Sequence, residues 1–147
     1  VIWQAVEPLV RQRPIGGWGW FIGWPTWMEP FASLVIRPDG TPTNQAHNVY
    51  VEAALTTGFV GAFLVTAAIV WTLLRVVKVA VAHIEDNLWD VVPAVLMIAM
   101  FIQSFTESRM LFEGNWMLVV IIATWVKVRG EVPVVWPSAA RQHLEYS

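Results

Sequence analysis

The stretch Asn44–Ala62, NQAHNVYVEAALTTGFVGA, joins a polar, turn-rich segment to a long apolar one. Upstream of it, Met28–Gln45 contains Pro30, Pro38, Pro42 and the turn run RPDGTPTN. Proline and Asp-Gly set turn geometry, so this segment reads as an exposed polar loop. Downstream, Phe59–Leu74 is an unbroken run of apolar or small residues closed by Arg75 and Lys78. Asn44 or Asn48 can cap a helix start by accepting backbone N–H groups. Glu52 in the first turn suits the positive end of the helix dipole. The stretch therefore predicts a long helix over 48–79, enough to cross a bilayer. Ala54, Gly58 and Ala62 are spaced by four, which on one helix makes a small-residue stripe and a packing seam. His47, the most chemically capable side chain of the stretch, sits at the junction.

Composition agrees. The chain is 56% hydrophobic and 14% charged, with mean hydropathy +0.55; soluble domains carry about 25% charged residues. Ten Trp against two Tyr points to membrane–water interfaces, where indole rings concentrate. No polybasic block is present, which argues against nucleic acid as a partner. The lack of Cys rules out a disulfide framework and a thiolate metal site. The N-terminus, VIWQAVEPLV, has no basic segment followed by an apolar core and is not a signal peptide. Further residues are expected upstream of Val1, so the chain reads as a C-terminal fragment, inactive alone.

The expected fold class is all-α: a polytopic membrane protein fragment of about three transmembrane helices, preceded by an extracytoplasmic loop with short interfacial helices. Residues 1–47 form the loop region. It opens with an amphipathic helix over Val1–Gln12, with Ile2, Val6, Leu9 and Val10 on one face and Pro8 as a source of distortion. Next comes the Gly/Trp-rich run RPIGGWGWFIGWPTW at Arg13–Trp27, whose tryptophans are expected at headgroup level. It lacks the Lys of a nucleotide-binding P-loop. Residues 48–129 hold the transmembrane helices, at about 48–79, 89–107 and 113–128, and 130–147 form a cytoplasmic tail. Pro93 falls in the first turn of the second helix, where proline is tolerated. The polar run Gln103–Arg109 marks the return to the side from which the first helix starts. His83, beside Glu85 and Asp86, belongs to a solvated connector. Arg75, Lys78, Lys127, Arg129 and Arg141 lie on one side, and Arg11, Arg13, Arg37 and Arg109 on the other. The first group is favoured as cytoplasmic, which puts His47 outside.

His47 has three readings. It is a polar residue at a convenient depth, a metal ligand, or a general base. No partners are spaced for a metal site. Imidazoles titrate near pH ~6.5, which suits proton transfer around neutrality. Arg37 is a solvated loop charge or a two-pronged phosphate contact. A transporter or membrane scaffold is the non-catalytic alternative. A transporter tends to carry ionisable groups in mid-helix, whereas here they cluster at the ends.

The run RPIGGWGWF at Arg13–Phe21, followed by HNVYVEAALTTGFVGA at His47–Ala62, resembles the O-antigen ligase and Wzy-type O-antigen polymerase family. The matching residues are Pro14, Gly17, Gly19, His47, Asn48, Tyr50, Gly58 and Gly61. The resemblance implies a multi-pass glycosyltransferase of the bacterial inner (cytoplasmic) membrane, with its site on the periplasmic face. It implies transfer of a glycan from an undecaprenyl-diphosphate carrier to a glycan or lipid acceptor, with no cofactor and no metal. His47 would help deprotonate the acceptor hydroxyl. Arg37, with Arg13 and Arg109 behind it, would hold the diphosphate, and Asn48 and Glu52 would serve as further substrate contacts. Many relatives carry an acidic residue before the first glycine of the helix; this chain has Thr57 there.

Overall fold

A computed structural model describes residues 2–20, 23–34, 40, 43–85, 87–111 and 113–131, apart from the side chains of Arg109, Glu113 and Glu131. Among these residues the chain is all-helical, with no strand. The helices are α1 (Ile2–Gln12), α2 (Val49–His83), α3 (Val91–Gln103) and α4 (Glu113–Glu131). Short 3-10 turns at Leu88–Asp90 and Ser108–Leu111 precede α3 and α4.

The expected amphipathic helix is α1, and Pro8 lies inside it. Its buried face, Val6, Leu9 and Val10, packs with Trp24, Phe31, Leu34, Ala46 and Leu55 into one apolar cluster. This cluster roofs the first turns of α2. A second cluster, including Ile69, Val76, Met97, Val119 and Ile122, joins α2, α3 and α4. The outside of this bundle is also apolar. Phe59, Phe63, Leu64, Trp71, Val95, Ile102 and Ile121 are all exposed. A helix that is apolar all round needs an apolar surrounding. Of the described helices, α2 is the one long and apolar enough to cross a membrane. The segment Leu88–Gln103 is a shorter apolar helix.

The expectation of a continuous first helix is corrected. At Gly58 the backbone leaves the helix, at φ 68° and ψ −175°. The break is filled by the Gly/Trp run. Trp18 N and Gly19 N donate to Leu55 O and Thr56 O, both at 2.9 Å, and Phe59 N donates to Pro14 O at 2.7 Å. The loop thus satisfies carbonyls at the end of the 49–57 half and an N–H at the start of the 59–83 half. Unpaired, such groups would be costly in an apolar setting. Gly58 is consequently a junction rather than part of a stripe with Ala54 and Ala62.

The second expected helix, 89–107, is shorter because α3 ends at Gln103. Val49 N donates to Ser104 O at 2.9 Å, and Asn48 Nδ2 donates to Phe105 O at 3.1 Å. These carbonyls beyond α3 are thereby tied to the start of α2. His83 is not a solvated connector residue: it lies in the last turn of α2 and is 7% exposed. Asp86, Phe112 and 132–147, most of the expected tail, lie outside the described residues.

At the far end of the bundle, Arg129 Nε and Nη2 reach Asp90 Oδ2 at 3.0 and 2.8 Å. Asp90 is buried and also faces Asn87 Nδ2 through Oδ1, at 3.2 Å. Removing one partner of a buried ion pair leaves the other unsatisfied. Asp90→Ala is expected to cost about 2–3 kcal/mol, read as a lower midpoint in reversible SDS unfolding. An unchanged midpoint would show that the pair does not tie α3 to α4.

Candidate active site

The site is built where the chain enters α2. Asn48 is the helix N-cap; its Oδ1 accepts Tyr50 N at 2.9 Å and Val51 N at 3.1 Å. Asn48 N donates to Ser108 Oγ at 3.0 Å. One residue before His47, Ala46 N donates to Glu52 Oε2 at 2.7 Å, and Ala46 O accepts Trp3 Nε1 at 2.9 Å. Both neighbours of His47 are therefore pinned. Between them His47 takes φ 51°, a left-handed conformation that costs a non-glycine residue roughly 1–2 kcal/mol. Such a conformation persists where the surroundings over-determine it, and it recurs at functional sites. The His47 side chain is 41% exposed.

Glu52 is 2% exposed and lies beneath this bend. Its Oε1 accepts Trp24 Nε1 at 2.7 Å, and Ser108 Oγ stands 3.5 Å from Oε2. Trp24 N in turn donates to Asn44 O at 2.8 Å, which lays the loop alongside 44–46. With its carboxylate committed to protein donors, Glu52 holds the 46–48 bend in shape. The sequence reading as a substrate contact does not match this burial. Burying a carboxylate is costly unless several donors meet it, and here the donors come from the loop, the bend and the turn after α3. Two of the loop tryptophans are tied into the protein. Trp24 is 2% exposed, and Trp18 Nε1 donates to Leu9 O at 2.8 Å. Trp20 and Trp27 remain exposed.

Beside His47 stands a residue that the sequence reading used only to mark the chain's return. Glu107 Oε2 lies 3.5 Å from His47 Nδ1. That oxygen is buried and has no hydrogen-bond partner. A buried acceptor without a donor calls for an explanation. The geometry supplies one: the two groups form no hydrogen bond as placed, yet an imidazole bearing a proton on Nδ1 needs only a small shift to make it. Catalytic hydrogen bonds are often this loose before substrate binds. Gln45 Nε2 also lies 3.5 Å from Nδ1, but as a donor it would require the opposite tautomer. The carboxylate's charge favours Nδ1–H and leaves Nε2 to accept a proton. The available signal for Glu107 was its place in the polar run that returns to His47's side.

The other expected site residues are placed as follows. Asn48 is the buried cap. Arg13 stacks over the Trp18 ring, 4.2 Å from its centroid. The Arg109 backbone belongs to the Ser108–Leu111 turn directly after the residue that binds Asn48 N; its side chain lies outside the description. Arg37 lies outside the described residues altogether. Among the described residues no cluster suits a metal ion. A larger groove of about 690 Å³ runs between α1 and α2, lined by Trp3, Val6, Val10, Tyr50, Ala54 and Phe59 among others. Its lining is mostly apolar, and its charged pair, Glu7 and Arg11, is self-satisfied at 2.6 Å. The imidazole–carboxylate pair of His47 and Glu107 lies outside this groove.

Residues 1–66 match the model of a protein family described as O-Antigen ligase. The match spans α1, the Gly/Trp loop, the His47 bend and the broken start of α2, so the resemblance read from the sequence holds over these elements. No curated protein and no solved structure matches the chain.

Proposed function

We propose that this chain, matching the O-antigen ligase family over residues 1–66, forms part of a membrane glycosyltransferase. It moves a glycan from an undecaprenyl-diphosphate carrier to a glycan or lipid acceptor at the outer face of the bacterial inner membrane. The observation that carries the reading is the His47–Glu107 pair, with His47 at a strained bend inside the family-matched segment and Glu107 brought to it from beyond α3. His47 Nε2 takes the proton of the acceptor hydroxyl. The acceptor oxygen bonds to the sugar's anomeric carbon as the bond from that carbon to the diphosphate oxygen breaks, and the diphosphate leaves on its lipid. Glu107 holds the imidazole and stabilises the charge it acquires, as a carboxylate beside a catalytic histidine does elsewhere. Arg37, Arg13 and Arg109 are the candidates for binding the diphosphate, because guanidinium forks match phosphate oxygens.

In this reading 59–83 crosses the bilayer, while α1, the loop and 49–57 lie at the outer interface. Segments 88–107 and 113–131 complete two further spans, with Arg75, Lys78, Lys127 and Arg129 at the cytoplasmic end. Membranes containing the protein, supplied with a polyprenyl-diphosphate-linked glycan and an acceptor glycan, are expected to form the transferred product. They are expected to form none from a nucleotide sugar. Product from the nucleotide sugar, or none from the lipid donor, would refute the proposal.

A further inference from the structure

At the other end of the bundle, α2 and α4 leave a groove of about 310 Å³ lined by Trp71, Thr72, Arg75, Ala123, Val126 and Lys127. Arg75 lies seventeen positions beyond the break at Gly58. At ~1.5 Å of rise per residue this is roughly 25 Å, close to the thickness of a bilayer core. Arg75 and Lys127 therefore sit near the surface opposite His47. Arg129, their neighbour, is already committed to Asp90. Among the described side chains no carboxylate pairs with Arg75 or Lys127. Arg75 lies over the Trp71 ring, 5.8 Å from its centroid, and Gly130 of α4 leaves room for its guanidinium, with Nη2 3.7 Å from where a Cβ would stand. The groove's walls are otherwise apolar. The hydroxyl of Thr72 is spent on Ala68 O at 2.8 Å, and Trp71 and Leu74 are 66% and 64% exposed.

We propose that this groove binds one anionic glycerophospholipid, its phosphate between Arg75 and Lys127 and its acyl chain along Trp71 and Ala123. Two cations with no carboxylate partner among the described side chains supply a site for a phosphodiester. The apolar walls and the position at a bilayer surface favour a lipid over a free anion. Basic pockets between transmembrane helices on the cytoplasmic side recognise lipid headgroups by this combination. The inference rests on the bundle being in a membrane and is independent of the chemistry at His47.

The test is native mass spectrometry of the protein in a zwitterionic detergent, titrated with phosphatidylglycerol, phosphatidylcholine or inorganic phosphate. Phosphatidylglycerol is expected to bind roughly tenfold more tightly than phosphatidylcholine. Arg75→Gln and Lys127→Gln should each remove most of that preference, and Arg75→Lys should keep it. Lys78→Gln, which removes the same charge outside the groove, should leave it intact. Equal binding of phosphatidylcholine, or equal loss in Lys78→Gln, would overturn the site in favour of diffuse attraction. Inorganic phosphate displacing the lipid at equal concentration would assign the groove to a free anion. Should Arg75→Gln lose its helical circular dichroism, Lys127→Gln, on the exposed side of α4, decides the matter.

Discussion

Replacing His47 is expected to lower glycan transfer by roughly 10²–10⁴-fold, the usual worth of a positioned general base. The choice of substitute matters because His47 holds φ 51°. Alanine at that position adds backbone strain, whereas asparagine tolerates the left-handed region and lacks a group that accepts a proton near neutrality. His47→Asn should therefore lose transfer at unchanged protein level and unchanged unfolding midpoint. Transfer retained in that variant would end the catalytic assignment. Glu107→Gln keeps the shape beside Nδ1 but removes the charge, so a smaller loss, about tenfold, is expected there. Because Glu107 acts through His47, the double variant should be no worse than His47→Asn alone. A Glu107→Gln loss that persists in full on top of His47→Asn would show that the two act separately. The substrate dependence discriminates further, because a residue that only shapes the bend would alter acceptor KM and spare kcat.

Gly58→Ala is the substitution expected to damage the fold most. A Cβ at Gly58 would collide with the Ile15 carbonyl carbon and oxygen and stand 2.8 Å from Gly16 N. None of these is a flexible side-chain end, so the loop backbone must move. Moving it breaks the bonds from Trp18 N, Gly19 N and Phe59 N that close the interruption in α2. The φ of 68° adds strain for any side chain. Together these make a loss of about 3–5 kcal/mol. Gly17, at φ 65°, faces Thr56 and Gly58 backbone from the other side of the same contact, and Gly17→Ala should behave alike. Gly16 has nothing within 4 Å of its Cβ position, so Gly16→Ala should stay within about 0.5 kcal/mol. The measurement is the midpoint of reversible SDS unfolding for the three variants side by side. A Gly58→Ala protein as stable as Gly16→Ala would mean that the loop does not cap a broken helix.

The sequence made some parts of this architecture plain because they depend on local pattern. The apolar run after Phe59, the amphipathic α1, an asparagine cap at Asn44 or Asn48 and the terminal cations each declare themselves through periodicity or position. His47 was legible for the same reason, as a titratable side chain at a polar-to-apolar junction. The break at Gly58 was not. A glycine in an apolar helix reads equally well as a packing seam, and the choice depends on backbone arriving from Pro14–Gly19, some forty residues upstream. Glu52 was legible only as a first-turn acid suited to the helix dipole, since its three donors come from segments distant in sequence. Glu107 was invisible as a partner, because its pairing with His47 follows from α3 returning its end to the start of α2. The sequence by itself determined an apolar helical chain with a histidine at the polar start of its longest helix. The tertiary structure alone decided which backbone closes the broken helix and which carboxylate faces the histidine, because both are contacts between segments that no local pattern encodes.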